Sequence, residues 1–207
     1  KNCSVQITNN SLYDTSLIWI EKINHPVEPK GGNRLSSVYQ LQPFELALKD
    51  TIRIGIRYSN HIKNMKNISL YYYNQKDGWT FLPSSMHSNR QVIASTLFSL
   101  DAITIMQDIE PPFIRKVYPE NGGKFHYKDL KTISIIADDY LSGLNSNEKS
   151  MEIKLDGLLV RYAFQPIKKE LSYYLPTPLD AGEHTIEYKI SDLAGNTVSG
   201  LSTFLVD

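Results

Sequence analysis

Cysteine is almost missing from this chain of 207 residues, and so are long hydrophobic runs. The single cysteine, Cys3, excludes a disulfide framework and any metal site built from several thiolates. We predict that it is a plain thiol near a frayed start. No stretch of 18 apolar residues occurs, so we expect no membrane span. The chain lacks an apolar signal core and begins at Lys1, from which we expect a mature or excised part of a longer protein.

An excess of charge of either sign is also missing. Basic and acidic side chains number 22 each; residues 1–110 carry 11 and 9 of them, and residues 111–207 carry 11 and 13. A phosphate backbone demands a basic surplus, so we expect no nucleic-acid partner. Hydrophobic residues make up 41% of the sequence, which is ordinary for a folded protein, so each half can bury a core of its own.

Catalytic motifs are the third absence. The sequence has no His-Glu-x-x-His, no Gly-x-Ser-x-Gly and no phosphate-binding loop. Its histidines do not stand at metal-ligand spacing; they are His25, His61, His87, His126 and His184. We therefore assign no catalytic residue and expect no enzyme, although a triad assembled through space stays open as an alternative.

What the sequence does contain is a period of two. Residues 52–58 alternate between large apolar and polar or small side chains, and 132–135 and 185–191 do the same, which predicts half-buried strands. No window of 12 residues shows a helical stripe. Further predicted strands cover 16–23, 67–73, 79–82, 91–98, 102–107, 151–155, 158–164 and 171–175, with turn signals at 31–32, 77–78, 122–123, 156–157 and 194–196.

A domain boundary is predicted near the middle of the chain. The segment 108–112 (DIEPP) ends in two prolines, which cannot donate to a strand ladder and which stiffen an extended backbone. We read it as a short rigid linker. The prediction is an all-β protein of two tandem β-sandwich domains, 1–110 and 111–207.

The second half carries an ordered set of short motifs. They are PPFI at 111–114, YPENGG at 118–123, ISIIADDYLSG at 133–143, KLDG at 154–157, GEH at 182–184 and SDLAGN at 191–196. In this order the set resembles the bacterial Ig-like or fibronectin-III-like modules of secreted proteins. Asp156-Gly157 suits a tight hairpin, and Asp192 with Asn196 suits the turn before the last strand.

The first half carries a looser pattern of strands and aromatics. It consists of Pro-Phe at 43–44, a strand at 51–58, ISLYYY at 68–73 followed by DGW at 77–79, and a strand ending in ITIM at 103–106. This pattern resembles the ZU5-like sandwich modules of surface proteins, which also occur in non-catalytic regions of secreted cell-wall peptidases. The resemblance implies a sandwich and no particular chemistry.

Two groups of side chains are candidates for binding. Tyr71 and Tyr73 share one face of their strand, and Trp79 follows just across a turn. Such rings can stack on sugars, or they can cover the flank of the sandwich as packing residues. Asp138 and Asp139 offer oxygen ligands to calcium, with Ser142, Asn145 and Asp192 nearby, or they cap turns in a loop without an ion.

These observations give two functional hypotheses. The first is a non-catalytic structural and interaction module pair of an exported bacterial protein, acting as a spacer or positioning element for a larger polypeptide or a cell-surface protein. The alternative is a carbohydrate-binding module that uses exposed aromatics to hold a polysaccharide. Either would work outside the cytoplasm, at the cell surface or in the periplasm, and calcium is the one cofactor that the sequence leaves open.

Overall fold

The computed structural model describes residues 2–62 and 64–207 and shows an almost entirely β-stranded chain. The expectation that was tied to Lys1 lies outside these residues. The chain divides into two compact units, Lys1–Ile109 and Glu110–Asp207, one residue from the predicted boundary. In the described part, the only helical element is a 3-10 turn at Ser88–Arg90, and no helix there is long and apolar enough to cross a membrane.

Unit 1 is built from two sheets. Its strands are β1 (Cys3–Gln6), β2 (Trp19–Ile23), β3 (Gly32–Arg34), β4 (Val38–Gln42), β5 (Ile52–Arg57), β6 (Ile68–Asn74), β7 (Gly78–Leu82), β8 (Ser85–His87), β9 (Val92–Leu97) and β10 (Ala102–Asp108). One sheet has the order β1-β5-β9-β8. The other has the order β2-β4-β10-β6-β7, and β3 pairs with β10 at its side. All of these pairings are antiparallel.

The core of unit 1 lies between these sheets. On β5, Ile52, Ile54 and Ile56 are all almost fully buried, whereas Arg53 and Arg57 are exposed. They pack with side chains from the facing strands, among them Leu70 of β6 and Ile105 of β10. Because neighbouring side chains on a strand point to opposite faces, one period-two run fixes both the core and the outer surface of its sheet.

Unit 2 is a second sandwich with nine strands. They are β11 (Phe113–Tyr118), β12 (Lys124–Phe125), β13 (Thr132–Asp138), β14 (Met151–Leu155), β15 (Leu158–Leu159), β16 (Ala163–Gln165), β17 (Glu170–Tyr174), β18 (Gly182–Ser191) and β19 (Thr197–Val206). The sheets have the orders β11-β13-β17-β16 and β12-β19-β18-β14-β15. The pairing of β12 with β19 is parallel. Two of the nine strands have only two residues, which leaves seven longer ones.

The turns of unit 2 follow the predicted chemistry. Asp156 and Gly157 join β14 to β15 with φ angles of 51° and 78°, the conformation that a two-residue hairpin loop of Asp-Gly adopts. The ten-residue strands β18 and β19 are paired along their whole length. Inside, Ile133 and Ile135 of one sheet face Ile186 and other apolar residues of the other sheet.

Three predictions about elements need correction. The thiol of Cys3 does not lie in a frayed segment: it opens β1, pairs with Ile56 and is buried in the core. The predicted strand 158–164 is interrupted and forms β15 and β16, which belong to different sheets. Several strands carry too few alternating residues to stand out in the sequence, namely β1, β3, β4, β8, β11 and β12.

Because unit 2 closes its own hydrophobic core, we expect residues 110–207 to fold without the first unit. Expressed alone, this fragment should show slow amide exchange in β13, β14, β18 and β19, the strands that carry the core. The matched control is the same measurement on the full chain. Fast exchange in these four strands of the fragment, with protection retained in the full chain, would show that the boundary is misplaced.

Candidate functional site

The aromatic residues that the sequence singled out lie on adjacent strands of unit 1. On β6, Tyr71 and Tyr73 point to one face, whereas Leu70 and Tyr72 point to the core, as the alternation predicts. Trp79 on β7 is the register partner of Tyr73, with ring centroids 5.3 Å apart. The hairpin between β6 and β7 therefore brings the Trp79 and Tyr73 rings together.

Burial separates these three rings. Tyr71 is fully buried and meets Phe81 edge to face at 5.6 Å, and Trp79 is only 7% exposed. The indole N–H of Trp79 donates to the Val27 carbonyl at 2.8 Å, which fastens the segment between β2 and β3 over this face. Neither ring presents a face to solvent, so of the three rings only that of the half-buried Tyr73 is accessible to a ligand.

The side chains of His25 and Arg34 cover this aromatic face, and sequence reasoning did not identify either of them. The imidazole of His25 lies 4.2 Å from the Tyr73 ring and 4.8 Å from the Trp79 ring. Burial lowers the pKa of His25 below its ordinary value, and the nearby Arg34 charge acts in the same direction. The Arg34 guanidinium lies over Trp79 at 5.7 Å and donates to the Val27 carbonyl at 2.8 Å. No sequence pattern links residues so far apart along the chain.

An open groove of about 760 Å³ runs along the exposed side of Tyr73. Phe44, which is 62% exposed, and the His25 ring also line it. Its polar lining includes Asn74, Gln75 and Asp101. Aromatic surface beside amide and carboxylate groups can hold a ligand that has both apolar faces and hydroxyl groups. We call this the Tyr73 groove.

The predicted calcium ligand Asp138 is engaged by cations of its own unit. It ends β13, is buried, and forms ion pairs with Arg115 of β11 and Lys169 beside β17. Burial alone would raise the pKa of Asp138, but the hydrogen bonds from Lys169 and the Asp139 N–H, together with the two positive charges, hold it below its usual value. The carboxylate thus ties three neighbouring strands of one sheet, which is a structural task.

Asp139 caps a loop and lies near Asp192. Its Oδ2 accepts the N–H groups of Leu141 and Gly143, at 3.0 and 2.8 Å, and so caps a loop. Carboxylate oxygens of Asp139 and Asp192 lie within 4.8 Å of each other. Asp192 is therefore a close neighbour of Asp139, and calcium binding by Asp138 and Asp139 stays a prediction.

Asp192 also serves the turn in which it lies. It is buried, and its Oδ1 accepts the N–H groups of Gly195 and Asn196 at 2.6 and 2.8 Å. The Asn196 side chain donates to Oδ2 at 2.7 Å. Burial raises the pKa of Asp192, and the charge of Asp139 adds to this, against the lowering effect of these hydrogen bonds.

Two side chains that could take part in catalysis, His184 and Cys3, are also held within their own units. Both nitrogens of His184 have partners, with Nδ1 2.7 Å from an Asp156 carboxylate oxygen and Nε2 2.9 Å from the Asp180 carbonyl, and both donate when the ring is protonated. Burial opposes protonation, but these partners raise the pKa of His184 overall. Burial raises the pKa of the Cys3 thiol to about 12, so this group stays protonated near neutral pH.

We expect Asp138→Asn to destabilise unit 2 at neutral pH by about 1–3 kcal/mol, because Arg115 and Lys169 would then face a neutral amide. The folded-state pKa of Asp138 is lowered, so its contribution is complete above the unfolded pKa of about 4 and is lost as the pH falls through the folded value. Urea unfolding of both proteins across the acid range measures this difference.

The matched control is Asp129→Asn, at an exposed aspartate of the same unit. It should leave the pH profile of the unfolding free energy nearly unchanged. A constant difference between Asp138→Asn and the parent protein at every pH would contradict the ion-pair assignment.

Comparison with known proteins describes the fold. No protein-family model matches this sequence, and no curated protein sequence matches it either. Among solved structures, it is similar to CopC from Methylosinus trichosporium OB3b, at 20% identity and a TM-score of 0.38, over 46% of this chain and 93% of that one. It is also similar to PcoC, a methionine-rich copper resistance protein from Escherichia coli, at 16% identity and a TM-score of 0.37, over 47% of this chain and 100% of that one.

Immunoglobulin domains are further structural neighbours. Domains 1–4 of Sidekick-1 align at 10% identity with a TM-score of 0.27, over all of this chain and 72% of that one. None of these three structures bears on the ZU5-like resemblance of residues 1–110, which stays a prediction. By its own strands the chain is an all-β sandwich protein, and Ig-like and CopC-like structures are among those similar to it.

Proposed function

We propose that this chain is a non-catalytic structural and interaction module pair of an exported bacterial protein, and that it acts as a spacer or positioning element within a larger polypeptide. The observation that carries the proposal is the use of charge within unit 2. Asp138, Asp139, Asp192 and the His184–Asp156 pair all hold strands or turns of their own sandwich. Side chains committed in this way stabilise a scaffold and leave little for chemistry.

The segment between the units supports a spacer role. Strand β10 ends at Asp108 and β11 begins at Phe113, so four residues separate the two sandwiches. Two of them are Pro111 and Pro112, whose rings restrict the backbone of the connection. A short, restricted connection between two self-contained domains limits the range of distances that the ends of the pair can span.

Two measurements test this proposal. The coding frame is expected to continue beyond these 207 residues into a catalytic or adhesive domain, and the full product is expected outside the cytoplasm on cell fractionation. An export signal directly before the chain with no further domain would contradict the positioning role, because a small secreted binder would then be the simpler account. Recovery of the product in the cytoplasmic fraction would contradict export.

The Tyr73 groove favours a second candidate function, carbohydrate binding. Only Tyr73 of the three aromatics keeps an accessible ring, and Phe44 adds a second exposed ring to the same groove. The buried Tyr71 and Trp79 would then support the site without touching a sugar. This version of the hypothesis depends on one flank of unit 1 and makes no use of unit 2.

Alanine substitutions separate binding from packing. We expect Trp79→Ala to cost about 3–5 kcal/mol of unfolding free energy, because it removes a buried ring. Phe44→Ala should cost less than about 1 kcal/mol, because that ring is mostly exposed. Thermal unfolding measures both.

If the groove binds sugars, Phe44→Ala should also abolish retardation in native gels that contain a neutral polysaccharide such as mannan or soluble cellulose. Unchanged retardation of this variant would rule out the Tyr73 groove as the binding site.

A further inference from the structure

We propose that the outer face of the β1-β5-β9-β8 sheet of unit 1 binds an anionic polysaccharide in a trough that crosses the strands. The register of the sheet aligns Ser4, Gly55 and Ala94 on three adjacent strands. These small residues line an open groove of about 720 Å³. A larger residue at position 55 would require the Val92 side chain to shift, because a Cβ there would lie 2.9 Å from the Val92 Cγ1 and 3.3 Å from the Ser4 Oγ.

Arginines line this trough on both sides. Arg53 and Arg57 lie two residues before and after Gly55 on β5, so they point to the same face and stand about 13 Å apart along the strand. Arg90, in the 3-10 turn before β9, adds a third guanidinium. All three are exposed, and in the described part of the chain none of them is ion-paired.

The charge of the trough is therefore uncompensated. None of the described residues that line it is acidic. Guanidinium groups present paired N–H donors that match the oxygens of carboxylate, sulfate and phosphate groups. A sheet face with three such groups and no counter-charge is complementary to a ligand with repeated negative charge.

The rest of the lining favours a hydroxyl-rich chain over a peptide or a nucleic acid. Side-chain amides and a hydroxyl stand beside the arginines, from Gln6, Asn89, Gln91 and Ser4. The β5 backbone at the floor is already paired to strands on both sides, so a peptide could not add there as a strand. Apart from His87, the described lining has no aromatic ring on which bases could stack.

This trough is independent of the functions proposed above. It lies on the sheet that contains β1 and β5, whereas the Tyr73 groove lies beside β6 in the other sheet. It also requires no catalytic group and no contribution from unit 2. Its failure would leave the positioning role and the Tyr73 groove untouched.

Native gels containing polygalacturonate, dextran sulfate or neutral dextran test the proposal on the full chain. We expect retardation by one or both anionic polymers, weakening as salt is raised, and none by neutral dextran. Polygalacturonate and dextran sulfate distinguish a carboxylate-bearing ligand from a sulfate-bearing one. Poly-glutamate serves as the acidic peptide probe and should bind more weakly than the polysaccharides.

Three variants locate the binding. The double variant R53Q/R57Q should weaken it by about tenfold, because two charge-assisted contacts are lost. The control K22Q/K76Q removes the same charge from exposed lysines of unit 1 outside the trough and should change it less than about threefold. Ala94→Gln keeps every arginine but fills the floor, and it should weaken binding as well. Circular dichroism confirms that each variant is folded.

Several outcomes would overturn the proposal. Equal losses in R53Q/R57Q and K22Q/K76Q would indicate attraction to net charge alone. Undiminished binding by Ala94→Gln would show that the polymer does not enter the trough. Tighter binding of poly-glutamate than of both polysaccharides would identify an acidic peptide as the ligand class, and failure of every anionic probe to bind would remove the site.

Discussion

The alternation of side chains along paired strands is the constraint on which both sandwiches depend. On β5 the isoleucine side chains point into the core, whereas Arg53, Gly55 and Arg57 lie on the outer face. A shift of one residue in the pairing with β9 would exchange these two sets and bury charge. The same alternation sets the trough, since its small floor and its arginines are the outward half of strands whose inward half is the core.

Polar side chains in unit 2 supply hydrogen-bond and ion-pair partners that the strand pairings do not provide. Loop backbone N–H groups near a core need acceptors, and Asp139 and Asp192 supply them from within the chain. Asp138 joins three strands of one sheet through charge, and His184 fastens the β14–β15 hairpin to the start of β18. These residues look like site residues in a sequence because carboxylates near Gly, Ser and Asn serve loop capping and metal binding alike.

Local patterns could be predicted from the sequence, and long-range partners could not. The period-two pattern predicts the strands Ile52–Arg57 and Gly182–Ser191, and the turn chemistry of Asp156-Gly157 predicts the hairpin between β14 and β15. The short strands β8 and β12 could not be predicted in this way, because two or three residues cannot display a period. Trp79 offered no sign of its burial, which depends on Val27, 52 residues earlier. Likewise, Asp138 looks free until β11 and β17 bring Arg115 and Lys169 beside it.

The position of Cys3 determines how its thiol reacts under oxidising conditions. It is the single thiol among these 207 residues, so a disulfide partner for it must lie outside them. In the folded state its sulfur is enclosed between β1 and the facing sheet and is held protonated, and both conditions slow thiol exchange. An unfolded chain has neither protection. Folding of the first sandwich therefore competes with disulfide formation at Cys3, and the rate at which a thiol reagent modifies Cys3 measures the opening of β1.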